Sequence, residues 1–312
     1  MLMKTVDVII PTYKPGSKFI RQQEMLRRQT YPVNRVIIVN TEEKYLDISL
    51  LRDYDSVSVT NISAEEFDHG ATRNLGVSKS RADYFLMMTD DAVPKDEYLI
   101  ENLVRMMESS QEKEIGAVYG RQLATGESSE DEKYSRSFNY PGKSFVKTVE
   151  DLPRLGIKTY FESNVCCLYR RDVFDRLGGF IDHTIFNEDM IYCCKMLKAG
   201  FASAYCAEAA VFHAHNYTGM QQLRRNFDLG VSQADHPEVF GGLKSEGEGI
   251  KLVKGNAAAL MKKGKLFSVV RLIWISGCKY IGFRLGKNYK KLSKKTIMRF
   301  TMNKNYWGPM GR

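Results

Sequence analysis

Over roughly the first third of the chain, short apolar runs alternate with amphipathic stretches. Val6-Asp7-Val8-Ile9-Ile10-Pro11 is brief, β-branched and stopped by proline, as a buried strand would be. The turn Pro15-Gly16 precedes Ser17, a capping residue, and the pattern predicts a helix from there to about Gln29. Arg35–Asn40 and Val57–Thr60 read as the second and third strands, and a helix follows from about Ala71 to Ser80. Tyr84–Met88 is a fourth strand, ending at Thr89-Asp90-Asp91. Pro94 and Asp96 open a helix through about Glu108, and Ile115–Tyr119 is a fifth strand.

This alternation predicts an α/β fold with a mostly parallel sheet flanked by helices. Such sheets bind ligands beyond the carboxyl ends of their strands. That rule selects Pro11-Thr12-Tyr13, Asn40-Thr41-Glu42 and Thr89-Asp90-Asp91. Residues 121–160 are polar and without a period, and read as irregular loop. A helix returns at about Asp189–Ala199, stopped by Gly200, and helices resume near residue 217.

Composition narrows the class. A chain of 312 residues with 43% hydrophobic content predicts one large domain, alone or with an appendage, and a folded core rather than disorder. The apolar segment after Met1-Leu2-Met3-Lys4 is too short for a signal-peptide core. No run reaches the about 18 uncharged apolar residues of a spanning helix. Cys166, Cys167, Cys193, Cys194, Cys206 and Cys278 lack C-x-x-C spacing, which favours buried thiols in a reducing cytoplasm over metal fingers or disulfides.

Charge divides the chain further. Residues 251–312 hold sixteen Lys or Arg and no Asp or Glu, whereas residues 1–250 hold 30 basic and 37 acidic residues. A mildly acidic body therefore carries a basic helical C-terminal segment that seeks an anionic partner, membrane surface or nucleic acid. Within it, Leu266–Ile275 is apolar except for Arg271, and Lys279 follows. A helix lying on anionic lipid fits this run better than a spanning one, and ordinary packing on the body is the competing reading.

Four constellations carry chemistry. Asp90-Asp91 at a strand end repel each other unless solvated or neutralised, and a hard divalent cation bridging a diphosphate would neutralise them. A solvated turn explains them equally well. Asn187-Glu188-Asp189 opens a helix, where capping and the macrodipole explain acids as readily as catalysis does. His213-x-His215 closes an apolar run, and alternate residues on a strand would face one metal. His69-Gly70-Ala71-Thr72-Arg73-Asn74-Leu75-Gly76 precedes a helix whose N-terminus is a natural anion site.

The order V-D-V-I-I-P-T-Y-K, R-V-I-I-V-N, H-G-A-T-R-N-L-G, T-D-D-A-V-P, S-N-V-C-C-L-Y-R-R-D-V-F, N-E-D and F-H-A-H-N-Y-T resembles glycosyltransferase family 2. The H-G-x-T-R-N and H-x-H-N-Y-T segments and Tyr280–Tyr289 are similar to its bacterial rhamnosyltransferase branch. The resemblance implies a GT-A (Rossmann-like) catalytic domain over 1–250, with a nucleotide-sugar half of about 1–120 and an acceptor half of about 121–250. The basic segment 251–312 would be the membrane-associating appendage.

The same resemblance implies an inverting transferase that moves rhamnose from dTDP-rhamnose, or a sugar from another UDP or dTDP donor, to a polyprenyl-linked glycan in cell-surface polysaccharide synthesis. The enzyme would lie peripherally on the inner face of the cell membrane, with an anionic membrane surface and no nucleic acid as partner. Pro11, Thr12, Tyr13, Asn40 and Glu42 would hold the nucleoside, with His69, Arg73, Asp90 and Asp91 also on the donor side. The family's D-x-D maps onto Thr89-Asp90-Asp91. Asp91 and His213 would ligate Mg2+ or Mn2+, and Asp189 matches the catalytic base. Asn164, Glu188 and Arg224 fall on the acceptor side. Gln221-x-x-Arg224 resembles part of the Q-x-x-R-W motif of processive relatives, but Arg225 stands at the Trp position. The competing readings are a nucleotidyltransferase, against which Pro11–Pro15 offers no Gly-rich phosphate loop, and a nucleic-acid-binding protein using the basic tail.

Overall fold

The computed structural model describes residues 3–51, 56–109, 112–243 and 246–311. Its elements begin β1 (Val6–Tyr13), α1 (Ser17–Arg27), β2 (Arg35–Thr41), β3 (Val57–Ile62), α2 (His69–Ser78), β4 (Tyr84–Met88), β5 (Val93–Pro94), α3 (Leu99–Met107) and β6 (Ile115–Leu123). There follow α4 (Glu130–Asn139), β7 (Phe145–Lys147), α5 (Leu152–Leu155), β8 (Cys166–Arg170), α6 (Arg171–Arg176), α7 (Glu188–Lys198) and β9 (Ala202–Phe212). The chain closes with α8 (Gly219–Asp235), α9 (Pro237–Phe240), α10 (Glu246–Lys262), α11 (Leu266–Lys287) and α12 (Lys294–Phe300).

The chain forms two compact units. The first holds the residues up to Leu123, Tyr140–Asp182 and Glu188–His213. The second holds Ala124–Asn139, His183–Asn187 and the chain from Ala214 onward. A division at residue 250, expected from charge, follows a different line from these units, because α4 and α8 group with the basic helices.

All strands of the described residues lie in the first unit, in the order β3-β2-β1-β4-β8-β6-β9-β5, with β7 also beside β9. From β3 to β4 the pairing is parallel, so the carboxyl ends of β1, β2 and β4 share one edge of the sheet. Past β4 the sheet is mixed rather than mostly parallel: β8 runs antiparallel to both β4 and β6, β9 is parallel to β6, and β5 and β7 are antiparallel to β9. Apolar runs do not encode direction, and β8 pairs with strands remote in sequence, so its reversal left no mark on the pattern. Both faces are covered as expected. Val6, Val8 and Ile10 join a core with Phe19 and Leu26 of α1 and Leu103 and Met107 of α3. Ile9 faces the other way, against α2, where a Cβ on Gly76 would stand 2.4 Å from its Cγ2.

Several boundaries moved. β1 runs through Pro11 to Tyr13, because its ladder with β4 ends at Ile9 beside Met87 and no N–H is asked of Pro11 there. Pro94 lies in β5 and α3 starts only at Leu99. The stretch expected to be irregular contains α4, β7 and α5. The first turn of α4 is acidic, with Glu130, Asp131 and Glu132, so its polar sequence is a solvated helix rather than a loop.

In the second unit α11 packs on α8 through Leu272, Ile275, Cys278, Gly282 and Gly286. A Cβ on Gly282 would lie 2.1 Å from the Leu223 carbonyl oxygen, and one on Gly286 2.0 Å from that of Phe227. The two helices thus cross with their backbones nearly touching. Ile185, Phe227, Val231, Ile297 and Trp307 form this unit's core. α11 has 22 residues and, by length and composition alone, meets the requirement for crossing a membrane despite Arg271 and Lys279. The six cysteines are buried free thiols.

Overpacking the crossing should destabilise it. Gly282→Val is expected to cost about 1–3 kcal/mol. Gly277→Ala, where an added Cβ meets nothing within 4 Å, should be neutral or stabilising by up to about 1 kcal/mol through helix propensity. Thermal unfolding of the two variants checks the pair, and equal melting temperatures would refute the close crossing.

Candidate active site

Three groups of side chains line the first unit's sheet ends. At β1 and β2, Thr12 donates its hydroxyl to Asn40 Oδ1 at 3.0 Å, and Asn40 Nδ2 donates to Asn61 Oδ1 at 2.9 Å. Asn40 is fully buried and both ends of its amide are taken, so it ties β1, β2 and β3 together at their ends. Glu42 accepts from the Ala64 N–H at 2.8 Å and pairs with Lys44 at 3.2 Å. The outward-facing groups are aromatic: Tyr13, 53% exposed, meets Tyr45 edge-on at 5.5 Å, and Lys14 lies over both rings. Tyr45 escaped the sequence reading, because it belongs to no motif, and Lys14 was read only as part of the first motif, with no role of its own.

The second group is the Thr89-Asp90-Asp91 turn after β4. Gln22, buried on α1, donates to the Thr89 and Ala92 carbonyls, each at 2.7 Å, and fixes the turn from below. Thr89, at the family's first Asp position, gives its hydroxyl to Asp91 Oδ1 at 3.0 Å. Asp90 accepts from the Tyr13 N–H at 3.3 Å, while burial and the charge of Asp91 push its carboxyl up to about 6. His213 Nε2 stands 3.4 Å from Asp91 Oδ1. Its Nδ1 is 2.9 Å from Gln122 Oε1, which anchors the ring with Nε2 toward Asp91.

β9 stops at Phe212, so His213 and His215 do not share a strand face as the sequence pattern predicted. His213 continues from the strand with its N–H on the Leu123 carbonyl at 3.0 Å. His215 belongs to the second unit and stacks on Tyr217.

The third group is the start of α7. Asn164 donates its side-chain amide to Glu188 Oε1 at 3.0 Å and its backbone N–H to Asp189 Oδ2 at 3.2 Å, while its Oδ1 accepts from Tyr169 at 2.8 Å. Arg73 is buried and pairs with Glu188 Oε1 at 3.2 Å. Burial works against the charge of Glu188, but Arg73, His69 and the Asn164 amide outweigh it and hold that carboxyl below its usual range. Asp189 moves the other way. Burial and the neighbouring Glu188 charge push it up to about 7, against the N–H donors of Asn164 and Met190. This sets Asp189 well above an ordinary aspartate, which titrates at about 3.9.

Two further expectations change. The N-terminus of α2 is no open anion site: Asp68 caps it, accepting from the Gly70 and Ala71 N–H groups at 2.9 Å each. Arg73, expected beside a donor, is committed to Glu188 and to the His69 carbonyl at 2.8 Å. Arg224 sits on the exposed face of α8 in the second unit.

A family model described as glycosyl transferase family 2 matches residues 7–178. The chain is 39% identical to the O-antigen chain rhamnosyltransferase RfbN of Salmonella typhimurium, over 97% of this chain and 96% of that protein. It is 35% identical to the O-antigen chain rhamnosyltransferase WbaN of Salmonella anatum, over 98% and 96%. Among solved structures, the mannosyltransferase PcManGT from Pyrobaculum calidifontis, in complex with GDP-Man and Mn2+, superimposes with a TM-score of 0.61 at 14% identity, over 94% of this chain and 89% of that one. S. aureus TarS 1-349 in complex with UDP gives 0.52 at 13% identity, over 92% and 91%. These structural likenesses speak for the fold, which is of the GT-A type. The family match spans β1 and the Thr89-Asp90-Asp91 turn, and the curated relatives align along almost the whole chain; the protein is a glycosyltransferase and belongs to glycosyl transferase family 2.

Proposed function

We propose that the protein transfers rhamnose from dTDP-rhamnose, with inversion, to a polyprenyl-linked glycan at the cytoplasmic face of an anionic membrane. The observation that carries this reading is the near full-length identity to two O-antigen chain rhamnosyltransferases. Family membership also removes the support for a nucleotidyltransferase.

Asp189 is the proposed base. It takes the proton of the acceptor hydroxyl while that oxygen attacks the anomeric carbon, and the bond from that carbon to the diphosphate breaks on the opposite side. The environment of Asp189 supports the role, because a base tuned toward neutrality accepts a proton more readily than an ordinary aspartate. Glu188 and Asn164 position it from the acceptor side. On the donor side Tyr13 and Tyr45 offer a stacking surface for the base, and Thr12, Asn40 and Glu42 frame it from the strand ends.

Asp91 and His213 fit a divalent cation, Mg2+ or Mn2+. A carboxylate oxygen and an imidazole nitrogen held by Gln122 face each other, and Asp90 beside them is pushed toward protonation when no cation compensates. When bound, the metal would offset the diphosphate charge that grows as the sugar departs.

Asp189→Asn should lower turnover by ~10²–10⁴-fold and leave donor affinity within about twofold. Rapid-quench turnover and donor calorimetry read the two quantities, and near-normal turnover would move the assignment to Glu188. The pH profile makes a separate demand. Activity needs the ionised base, so the acid limb should rise through about pH 7, and Glu188→Gln should shift that limb to lower pH by removing the neighbouring negative charge. A limb that stays put in Glu188→Gln contradicts the coupling. Finally, Asp91→Ala should abolish divalent-dependent donor binding in calorimetry with the circular dichroism unchanged, and retained metal dependence would rule out this ligand pair.

A further inference from the structure

The second unit forms a half-open cavity of about 840 Å³ between α4, α8, α10 and α11. Leu229, Leu252, Val253, Leu272, Ile275 and Phe283 make most of its wall apolar. The mouth is apolar as well. Ile250, Ile273 and Tyr280 line the cavity and are yet 56, 61 and 56% exposed. Ile273 and Tyr280 also belong to an outward stripe of α11 with Phe267, Val270, Trp274 and Ile281, in which Phe267 is 85% exposed. The stripe lies mostly away from the face that packs on α8, with Trp274 at its edge reaching Gly219 at the start of that helix. An apolar cavity opening onto an apolar outer face suits a ligand that arrives through a bilayer rather than through water.

The cavity also carries charge. Lys254, Arg271 and Lys279 line it, against the carboxylates of Asp131 and Glu132, and Glu132 is engaged by Arg136 at 2.7 Å. The Lys279 amine is half-buried, and desolvation lowers its pKa while Glu132 and Asp131 support its charge. Three cations against two carboxylates, one of these held by Arg136, leave a small positive excess beside apolar surface. Around the cavity the segment 251–312 has no acidic residue, which matches an anionic bilayer.

We infer that this cavity binds the lipid part of the acceptor, a polyprenyl chain with its phosphate end toward Lys279 and Arg271, entering through the mouth while the outer stripe of α11 rests in the membrane. The inference rests on the proposed lipid-linked acceptor and adds the place where that lipid is held. A cavity of this size accommodates several isoprene units rather than a whole long chain, so the remainder would stay in the bilayer.

Gly277 provides the test. It lines the cavity at an exposed position and a Cβ there meets only open space, so Gly277→Phe sets a ring at the mouth while raising helix propensity. The full-length protein is mixed with phosphatidylglycerol vesicles carrying a photoreactive polyprenyl phosphate, and labelled peptides are mapped. Label is expected on α10 and α11, competed by unlabelled polyprenyl phosphate and more weakly by the free polyprenol, and unaffected by inorganic phosphate. Gly277→Phe should reduce this label at least tenfold and raise KM for the lipid-linked acceptor, with vesicle sedimentation and donor affinity unchanged. Lys279→Gln should narrow the difference between polyprenyl phosphate and polyprenol. Labelling spread along the outer stripe, equal in wild type and Gly277→Phe, would overturn the cavity and leave only a membrane contact. If the wild-type enzyme glycosylated a lipid-free glycan but no lipid-linked one, while the label still mapped to the cavity, the acceptor reading would fail and the lipid site would stand.

Discussion

The first turn of α7 must hold two adjacent carboxylates among protein atoms, and the chemistry of the site follows from how that is arranged. Two desolvated, neighbouring acids cannot both ionise freely. Arg73 and the Asn164 side-chain amide assign the charge to Glu188, which leaves Asp189 as the member with the higher proton affinity. Removing Arg73 would therefore do more than break an ion pair. It would leave Glu188 buried without its main counter-charge and disturb the order in which the two acids titrate. Asn164 belongs to the same unit of function, because one residue touches both acids and is itself fixed by Tyr169.

The sheet edge poses a similar electrostatic problem with a different outcome. Asp90 and Asp91 meet a different set of partners. Thr89, Gln22 and the Tyr13 N–H position the turn with neutral donors, and Gln122 holds the His213 ring with its Nε2 toward Asp91. Neutral donors shape a carboxylate pair without cancelling its charge, which keeps the turn available to a cation. The threonine in place of the family's first Asp is thus accommodated: its hydroxyl holds the Asp that remains.

Much of this was legible in sequence where the signal was periodic or positional. The strands up to β4, their carboxyl ends and the acids at α7 follow from hydrophobic runs and their stops, because these are local properties. What was missed depends on contacts between distant segments. Gln22 and Gln122 look like ordinary polar residues until the fold sets one under the Thr89 turn and the other behind His213. Arg73 read as a donor-side cation because its position before a helix was visible and its partner, 115 residues later, was not. Asp68 was overlooked beside the more conspicuous His69, although an aspartate before a helix start is a capping signal that could have been read. The upward shift at Asp189 has no local signal at all, since it arises from desolvation in the folded site.

α11 shows how one helix can serve two environments. A glycine inside a helix costs about 0.5–1 kcal/mol relative to alanine. Gly282 and Gly286 recover that cost by letting α11 lie directly on the α8 backbone. Gly277 recovers nothing in this way, because no other element of the protein comes within 4 Å of where its Cβ would be. It also falls on the turn between Ile273 and Tyr280, at the cavity mouth. Packing within the chain therefore gives no reason for a glycine there. The lipid chain proposed for the cavity would use that space, and Gly277 sits where the cavity meets the exposed apolar stripe.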